Sequence, residues 1–177
     1  MFTYALRIGI QWFKSRRQAV GELGEEYITD HRSWLTDCDM NLHVNTARYF
    51  VYMEVARFDI GFRTGLYSYC LREKIASMVM ATKITFRREI KPFQKFKIKT
   101  KILGFDSRFL YFEQIIFSPA GTHAKAFVRL ALYGAGVFVE PESLVSKLGV
   151  KFENQEFPDD LKAWIQAEAL SLKSMKA

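Results

Sequence analysis

The sequence predicts an α+β fold in which an antiparallel sheet of about five strands wraps around one long central helix. A helix of about five turns is predicted from residue 46 onward, and four strand-like runs with short connections follow it. A chain of 177 residues with a hydrophobic fraction of 49% can build one core without disulfides. We therefore expect one main domain with a helical extension at each end.

The N-terminal segment predicts an amphipathic helix. Its polar residues share one side: Arg7, Gln11 and Lys14. Its apolar residues share the other: Leu6, Ile10 and Phe13. The segment is too short to span a bilayer, and two interpretations stay open. Either residues 1–17, which end in the basic pair Arg16-Arg17, make a peripheral membrane contact, or the helix packs on its own domain or on a second subunit.

The next segments lead into the central helix. Residues 25–35 predict the first strand, and residues 36–45 predict a loop. The helix is predicted from apolar residues at helical spacing: Ala47, Val51, Val55, Phe58, Phe62 and Leu66. Asn45 is the predicted N-cap, because its side chain can accept a hydrogen bond from a first-turn amide.

The second half of the chain predicts the rest of the sheet. Strands are expected at residues 77–88, 96–105, 109–118 and 123–138. Their connections, which include Lys91-Pro92 and Pro119-Ala120-Gly121, are short enough for an antiparallel meander. A short helix at 142–147 and a final helix opened by Pro158 follow. These elements divide the chain into an N-terminal helix (1–24), a sheet-and-helix domain (25–140) and a C-terminal helical extension (141–177).

The predicted sheet also suggests an assembly. A single helix covers only one side of a sheet, and the edge strands keep unpaired backbone groups. Two subunits joined edge to edge would cover the remaining apolar surface, so we expect a homodimer or a dimer of dimers.

The positive charge lies in one segment. Residues 83–101 hold eight Lys or Arg and one Glu, so this segment alone accounts for the formal net charge of +7. Such a field attracts coenzyme phosphates, an acidic carrier protein, a membrane surface or nucleic acid. Lys97, Lys99 and Lys101 alternate with apolar residues, as in a strand with one solvated face. This pattern favours a strand over a nucleic-acid surface.

The cysteines and two of the histidines belong to no chemical motif. Cys38 and Cys70 have no Cys or His partner at metal-ligand spacing, so we expect no metal site and a reducing, cytoplasmic setting. His31 and His123 are interpreted as structural, and the acids beside Cys38 disfavour a reactive thiolate there.

The strongest chemical signal precedes the central helix. Asp39, Asn41 and His43 stand at alternate positions. An acid that acts as general base or nucleophile, polar groups that orient it, and free amides at a helix start could together hydrolyse an activated carbonyl compound. A neutral His43 could also be the base, although Asp39 is the favoured one. Taken singly, each residue has a structural interpretation, such as an Asx turn for Asp37 or Asp39.

These residues also carry a family resemblance. The block Asp39-Met40-Asn41-Leu42-His43-Val44-Asn45, followed by Ala47-Arg48-Tyr49, resembles the hotdog-fold thioesterases, both the 4-hydroxybenzoyl-CoA group and the plant acyl-carrier-protein group. Phe86-Arg87-Arg88-Glu89 is similar to the Tyr-Arg-Arg-Glu segment of the plant enzymes, which implicates Glu89. The plant pattern continues with Cys, whereas this chain has Ile90. Over residues 25–172 the chain looks closest to the family of thioesterase superfamily member six.

The resemblance implies a hotdog fold and hydrolysis of an acyl-CoA or acyl-carrier-protein thioester in lipid metabolism. It assigns Asp39 as general base or nucleophile, supported by Asn41, His43 and Glu89, with helix amides that stabilise the oxyanion. The expected substrate-binding residues are Asn45, Thr46, Tyr49, Met78 and Met80, and Tyr52 and Met53 are expected to line the same acyl tunnel. No separate cofactor is expected, because coenzyme A or the carrier's phosphopantetheine is part of the substrate.

Two other functions share this scaffold. One is a non-catalytic, membrane-associated protein that binds an acyl thioester or a lipid, which is suggested by the uncertain catalytic competence of the animal relatives. The other is dehydration of hydroxyacyl thioesters, since one fold can host several activities on one substrate class. The acid and histidine placement is not the usual one for dehydration.

Overall fold

A computed structural model describes residues 2–149, 152, 154 and 156–175. The helices are α1 (Phe2–Ser15), α2 (Thr46–Arg63), α3 (Leu66–Arg72), α4 (Pro141–Leu148) and α5 (Asp159–Ser174), with a 3-10 turn at Leu35–Asp37. The strands are β1 (Tyr27–Arg32), β2 (Ile75–Phe86), β3 (Lys95–Phe105), β4 (Phe109–Ser118), β5 (Gly121–Gly134) and β6 (Val137–Phe138). The α+β class and the long central helix are confirmed. Residues 1, 150, 151, 153, 155, 176 and 177 of the predicted segments lie outside the described residues.

The strand order differs from the predicted meander. The antiparallel sheet runs β1-β3-β4-β5-β2, so β2 pairs with β5 and not with β3, which follows it in the chain. The connection 87–94 spans ~26 Å when extended, which exceeds the ~14 Å across three strand spacings. It is held at the sheet end because the Arg87 amide donates to the His123 carbonyl (2.8 Å) and the Ser33 hydroxyl donates to the Lys91 carbonyl (2.6 Å).

The central helix is buried on a different face from the predicted one. Tyr52, Met53 and Ile60 are each 1% exposed and form the main core with the inner face of the sheet. In the predicted stripe, Phe58 and Phe62 are only half-buried, since they contact the Tyr67 ring of α3. The helix is apolar on more than one side, so its periodicity alone did not select the core face.

The remaining differences lie at element ends. The first strand is shorter than residues 25–35, because a 3-10 turn begins at Leu35. The predicted last strand splits into β5 and β6, since Ala135 and Gly136 have φ of 51° and 80° and make a tight hairpin turn. Helix α3 was not predicted.

The C-terminal helix covers the outer face of the sheet. Leu161 is fully buried and Trp164 nearly so, and both pack with Phe127 and Tyr111 in a second core cluster. The Trp164 and Phe127 rings stack with centroids 6.4 Å apart. The sheet is thus partly covered on both faces within one chain.

Helix α1 packs on the domain through its polar side. The Arg7 guanidinium donates to both carboxylate oxygens of Asp37 (3.0 and 2.7 Å), and the Gln11 amide donates to the buried carboxylate of Asp59 (2.8 Å). Leu6, Ile10 and Phe13 face outward and are 52%, 48% and 52% exposed. The helix is therefore inverted, with polar groups inside and apolar groups outside. In the described part of the chain, no helix is long and apolar enough to cross a membrane.

We expect His31 to make the fold sensitive to acid. Its ring stacks on Phe96, and its Nε2 lies 2.8 Å from the Thr29 hydroxyl. Burial lowers the pKa of His31 from 6.5 to about 3, and the charges of Lys14 and Arg7 act in the same direction. Below pH 6.5 the unfolded chain binds this proton and the folded chain does not, so the free energy of unfolding falls as the pH drops from 6.5 towards 3.

Through His31 alone, the free energy of unfolding changes by at most about 1.4 kcal/mol per pH unit. Urea unfolding of the wild type and of His31→Gln at a series of pH values measures it, and His31→Gln should flatten the profile. His43→Gln, which changes a more exposed histidine, serves as the matched control. Parallel profiles for the wild type and His31→Gln would contradict the expectation.

Candidate active site

The loop before α2 closes into a narrow turn. Cys38 and Val44 form an isolated antiparallel bridge, and the Asp39 amide donates to the His43 carbonyl (3.0 Å). Leu42 has φ of 58°, which lets its amide return to the Asp39 carbonyl (3.1 Å). These bonds fix the backbone on both sides of Asp39.

The three predicted residues, Asp39, Asn41 and His43, lie together in this turn. Asn41 makes a hydrogen bond to Asp39, whereas His43 only lies near it. Asp39 Oδ1 accepts a hydrogen bond from the Asn41 amide (2.9 Å) and lies 3.6 Å from His43 Nδ1. The second distance is too long for a hydrogen bond, so the two side chains are neighbours without a direct bond. The side chains of Asp39 and His43 are 29% and 35% exposed, and Asn41 is exposed. The carboxylate is thus oriented by its own turn and open to solvent.

The start of α2 has one amide that its cap does not use. The predicted N-cap is confirmed, because the Asn45 side chain accepts from the Ala47 amide (2.9 Å). The Arg48 amide donates to the Asn45 carbonyl (2.8 Å). The Thr46 amide takes part in neither bond and lies at the positive end of the helix dipole.

Asp37, the second acid of the loop, is buried and fully engaged. Its carboxylate accepts hydrogen bonds from Arg7, from the Tyr52 hydroxyl (2.6 Å) and from the Trp34 amide (2.9 Å). Burial, and then the bond to Asp37, raise the pKa of Tyr52 well above its usual value. No local motif predicts this role, because Arg7 comes 30 positions earlier in the chain. Asp37 is therefore structural, whereas Asp39 is available.

Glu89 lies on a segment that is joined to the loop. The Val44 amide donates to the Ile90 carbonyl (2.9 Å), and the Tyr49 ring meets the Phe86 ring edge-on. The Glu89 carboxylate is half-exposed and lies 3.7 Å from Lys91 Nζ. The structure thus brings the Glu89 backbone to the loop, while its side chain pairs with a lysine.

Burial and the neighbouring acids act on the thiol of Cys38. Burial, and then the charges of Asp37 and Asp39, raise the pKa of the Cys38 thiol, in the expected direction. In the described part of the chain, no group of three or more His, Cys, Asp or Glu side chains could hold a metal ion.

A cavity of about 730 Å³ lies between α2, α3 and the inner face of the sheet. Helix α2 lines it along one face, from Phe50 on the second turn to Gly61 on the last. The other walls come from α3 and from β2, β4 and β5, with Leu66, Met78 and Phe112 among them. A space of this size is typical of small-molecule sites. The first lining residue of α2, Phe50, comes six residues after the Cys38–Val44 turn that carries Asp39.

The predicted substrate-binding residues fall in different places. Met78 lines the cavity, whereas Met80 does not, because a bulge between Val79 and Ala81 leaves Met80 without a partner on β5 and breaks the strand alternation. Tyr49 is buried beside Ile90, and burial raises its pKa to about 12. Tyr52 and Met53 belong to the core and not to the cavity wall.

Comparison with known proteins now identifies the family. The model of the thioesterase-like superfamily matches residues 33–165. The chain belongs to this superfamily. The match includes the loop, the central helix, strands β2 to β6 and the first part of α5, and it begins just after β1. Membership supports thioester hydrolysis as the reaction class.

Individual relatives agree with this assignment. Protein THEM6 of Danio rerio is 29% identical over 153 residues, which cover 86% of this chain and 75% of the relative. Thioesterase poxG of Penicillium oxalicum is 27% identical over 58% of this chain and 38% of its own length. The similarity to the family of thioesterase superfamily member six is therefore confirmed.

Solved structures confirm the hotdog fold. The YbaW probable thioesterase from Escherichia coli superposes with a TM-score of 0.64 at 23% identity, covering 71% of this chain and 99% of its own. SAV2348 from Staphylococcus aureus, solved in complex with CoA, gives 0.65 at 15% identity over 80% of this chain and 94% of its own. At these identities the superpositions establish the fold alone.

Proposed function

We propose that the protein hydrolyses an acyl thioester with Asp39 as general base or nucleophile. One observation carries the assignment: Asp39 is a solvent-accessible carboxylate held by its own turn at the start of α2, while Asp37 is occupied by Arg7 and Tyr52. Superfamily membership supports the reaction class.

The chemistry follows from the charge that develops on the substrate. Asp39 takes a proton from water as the water oxygen attacks the thioester carbonyl, or attacks the carbonyl itself and forms an anhydride that water then cleaves. The carbonyl oxygen gains negative charge, which the Thr46 amide and the dipole of α2 stabilise. When the tetrahedral intermediate collapses, the C–S bond breaks and the proton passes to the leaving thiolate. His43 and Asn41 would orient the water and Asp39.

The substrate is an acyl thioester of coenzyme A or of an acyl carrier protein, and either thiol carrier is part of the substrate. A fold neighbour in complex with CoA supports the first. Arg87, Arg88 and Lys91 are exposed on the connection next to the loop, where they would attract the phosphates of either carrier. The acyl chain would enter the cavity along α2.

We also propose a homodimer that forms through β2. This strand pairs with β5 on one side only and ends the sheet. Its apolar side chains Met78, Val79 and Met80 are 55%, 43% and 40% exposed, which is unusual for an edge strand left in solvent. A second copy paired at this edge would cover them, and two such dimers would make a dimer of dimers.

A second candidate function is non-catalytic binding of an acyl thioester or lipid at a membrane surface. The outward apolar face of α1 favours it, together with Arg16 and Arg17, which lie over the rings of Trp12 and Phe13. An apolar face flanked by cations suits an anionic lipid interface. Location at a membrane, as opposed to free in the cytoplasm, is part of this second candidate.

The first prediction separates the two loop acids. Asp39→Asn should lower kcat by about 10² to 10⁴ in a free-thiol assay with acyl-CoA substrates, because general-base catalysis is lost. Its thermal midpoint should stay that of the wild type. Asp37→Asn is the matched control and should lower the free energy of unfolding by about 3 kcal/mol, because Arg7 loses its buried partner. Full activity in Asp39→Asn would refute the proposed role.

The second prediction concerns assembly. Sedimentation velocity should give a particle of twice 20.6 kDa for the wild type. Met80→Lys should shift it towards monomer, since the variant would place a charge in each copy on the apolar edge that the dimer covers. Leu170→Lys changes another apolar and exposed position, on α5 and away from this edge, and should leave the dimer intact. A monomeric wild type would exclude the edge pairing.

The third prediction tests the outward face of α1. The protein should co-sediment with phosphatidylserine-containing vesicles more than with pure phosphatidylcholine vesicles, and less at high salt. Leu6→Glu with Phe13→Glu should abolish this binding, while Leu170→Glu should not. Vesicle binding and tight acyl-CoA binding without any turnover would favour the second candidate. Rapid turnover would exclude it.

A further inference from the structure

Two charged side chains line the cavity, whose other walls are mostly apolar apart from residues such as Ser77 and Thr82. Glu54 and Arg57 stand on consecutive turns of α2, on the face that runs along the cavity. Around them are apolar groups such as Phe58, Met78 and Leu130. A plain hydrocarbon placed there would take water from both charges and give no hydrogen bond in return.

Arg57 is held in place by a buried amide. Its Nη1 donates to Gln114 Oε1 at 2.8 Å. Gln114 is fully buried, and its Nε2 donates to the Met53 carbonyl and to the Thr100 hydroxyl, both at 2.9 Å. Because both amide protons have acceptors, the amide oxygen is fixed towards Arg57. A guanidinium has five N–H donors, so most remain for a ligand or solvent.

Glu54 supplies an acceptor beside this donor. Burial raises the pKa of the Tyr4 hydroxyl on α1 to about 12, and the neighbouring Glu54 carboxylate acts in the same direction. Burial lowers the pKa of Arg57 to about 10, and the charge of Glu54 opposes that shift, so the guanidinium stays charged at neutral pH. The cavity wall therefore offers a donor and an acceptor on consecutive turns of α2.

We propose that the cavity takes an acyl chain with a hydroxyl group on its distal part, which accepts from Arg57 and donates to Glu54. A hydroxyl does both at once, whereas a second carboxylate would be repelled by Glu54. This substrate class rests on thioester hydrolysis as the proposed function. Arg57 lies about three turns beyond Asn45, ~18 Å along the axis at ~1.5 Å per residue. An extended chain advances ~1.2 Å per bond, so the hydroxyl lies roughly 12 to 15 bonds from the thioester carbon.

Calorimetry with non-hydrolysable thioether analogues of acyl-CoA tests this without turnover. The probes carry hexadecanoyl, 16-hydroxyhexadecanoyl, 2-hydroxyhexadecanoyl and hexadecanedioyl chains. The 16-hydroxy probe should bind about tenfold tighter than the other three. Equal affinity of the 16-hydroxy and plain probes, tightest binding of the dioyl probe, or no binding of any probe would overturn the proposal.

Two variants complete the test. Arg57→Met should remove the hydroxyl preference and keep binding of the plain chain. Glu54→Gln removes the repelling charge and should improve binding of the dioyl probe about tenfold. If Arg57→Met fails to fold, this second variant still tests whether the chain end lies beside Glu54. An unchanged preference in Arg57→Met, or no gain for the dioyl probe in Glu54→Gln, would count against the site. A retained preference with no hydrolysis of the matching thioesters would refute the proposed function and leave the binding site standing.

Discussion

The N-terminal half of the fold depends on the buried carboxylate of Asp37. Its oxygens bind Arg7 on α1, Tyr52 on α2 and the Trp34 amide, and its backbone carbonyl accepts from the Asn45 amide at the helix cap (2.9 Å). A buried charge is tolerated only when it is fully paired, and here the pairing joins two helices and the site loop. Helix α1, the cap of α2 and the turn around Asp39 are therefore positioned by one group.

Asp37 and Asp39 stand two positions apart and have different roles, because Asp37 is structural and Asp39 is the proposed base or nucleophile. The carboxylate of Asp37 has its donors supplied by the protein and has no capacity left for a substrate. Asp39 has one bond within its own turn and stays accessible. A similar division is found at the N-cap of α2. Asn45 accepts hydrogen bonds from the Ala47 and Arg48 amides, and the Thr46 amide takes part in neither bond. The proposed site therefore uses one accessible acid and one helix amide that the cap leaves without a partner.

The sequence predicts this site better than it predicts the contacts that support it. The Asp39-Asn41-His43 spacing and the Asn45 cap are local features, and the strands match their predicted ranges within a few residues. The pairing of β2 with β5 and the Arg7–Asp37 contact join residues far apart, so periodicity carries no signal for them. The Arg57–Gln114 pair was missed for the same reason. The buried face of α2 is likewise determined by the sheet and helices that pack against it, since the helix is apolar on more than one side.

Helix α1 has one face exposed on the surface of the molecule, and its other face contacts both the cavity wall and the loop of the proposed site. Tyr4 is a neighbour of Glu54 on the cavity wall, and Arg7 binds Asp37 beside the turn that carries Asp39. Its outward face holds none of these residues, so a lipid surface or a second subunit can cover Leu6, Ile10 and Phe13 without breaking an inward bond. Hydrolysis and peripheral binding therefore use opposite sides of one helix and do not compete. A covered outer face would hold α1 against the domain and so stabilise the donor and acceptor pair that faces the chain.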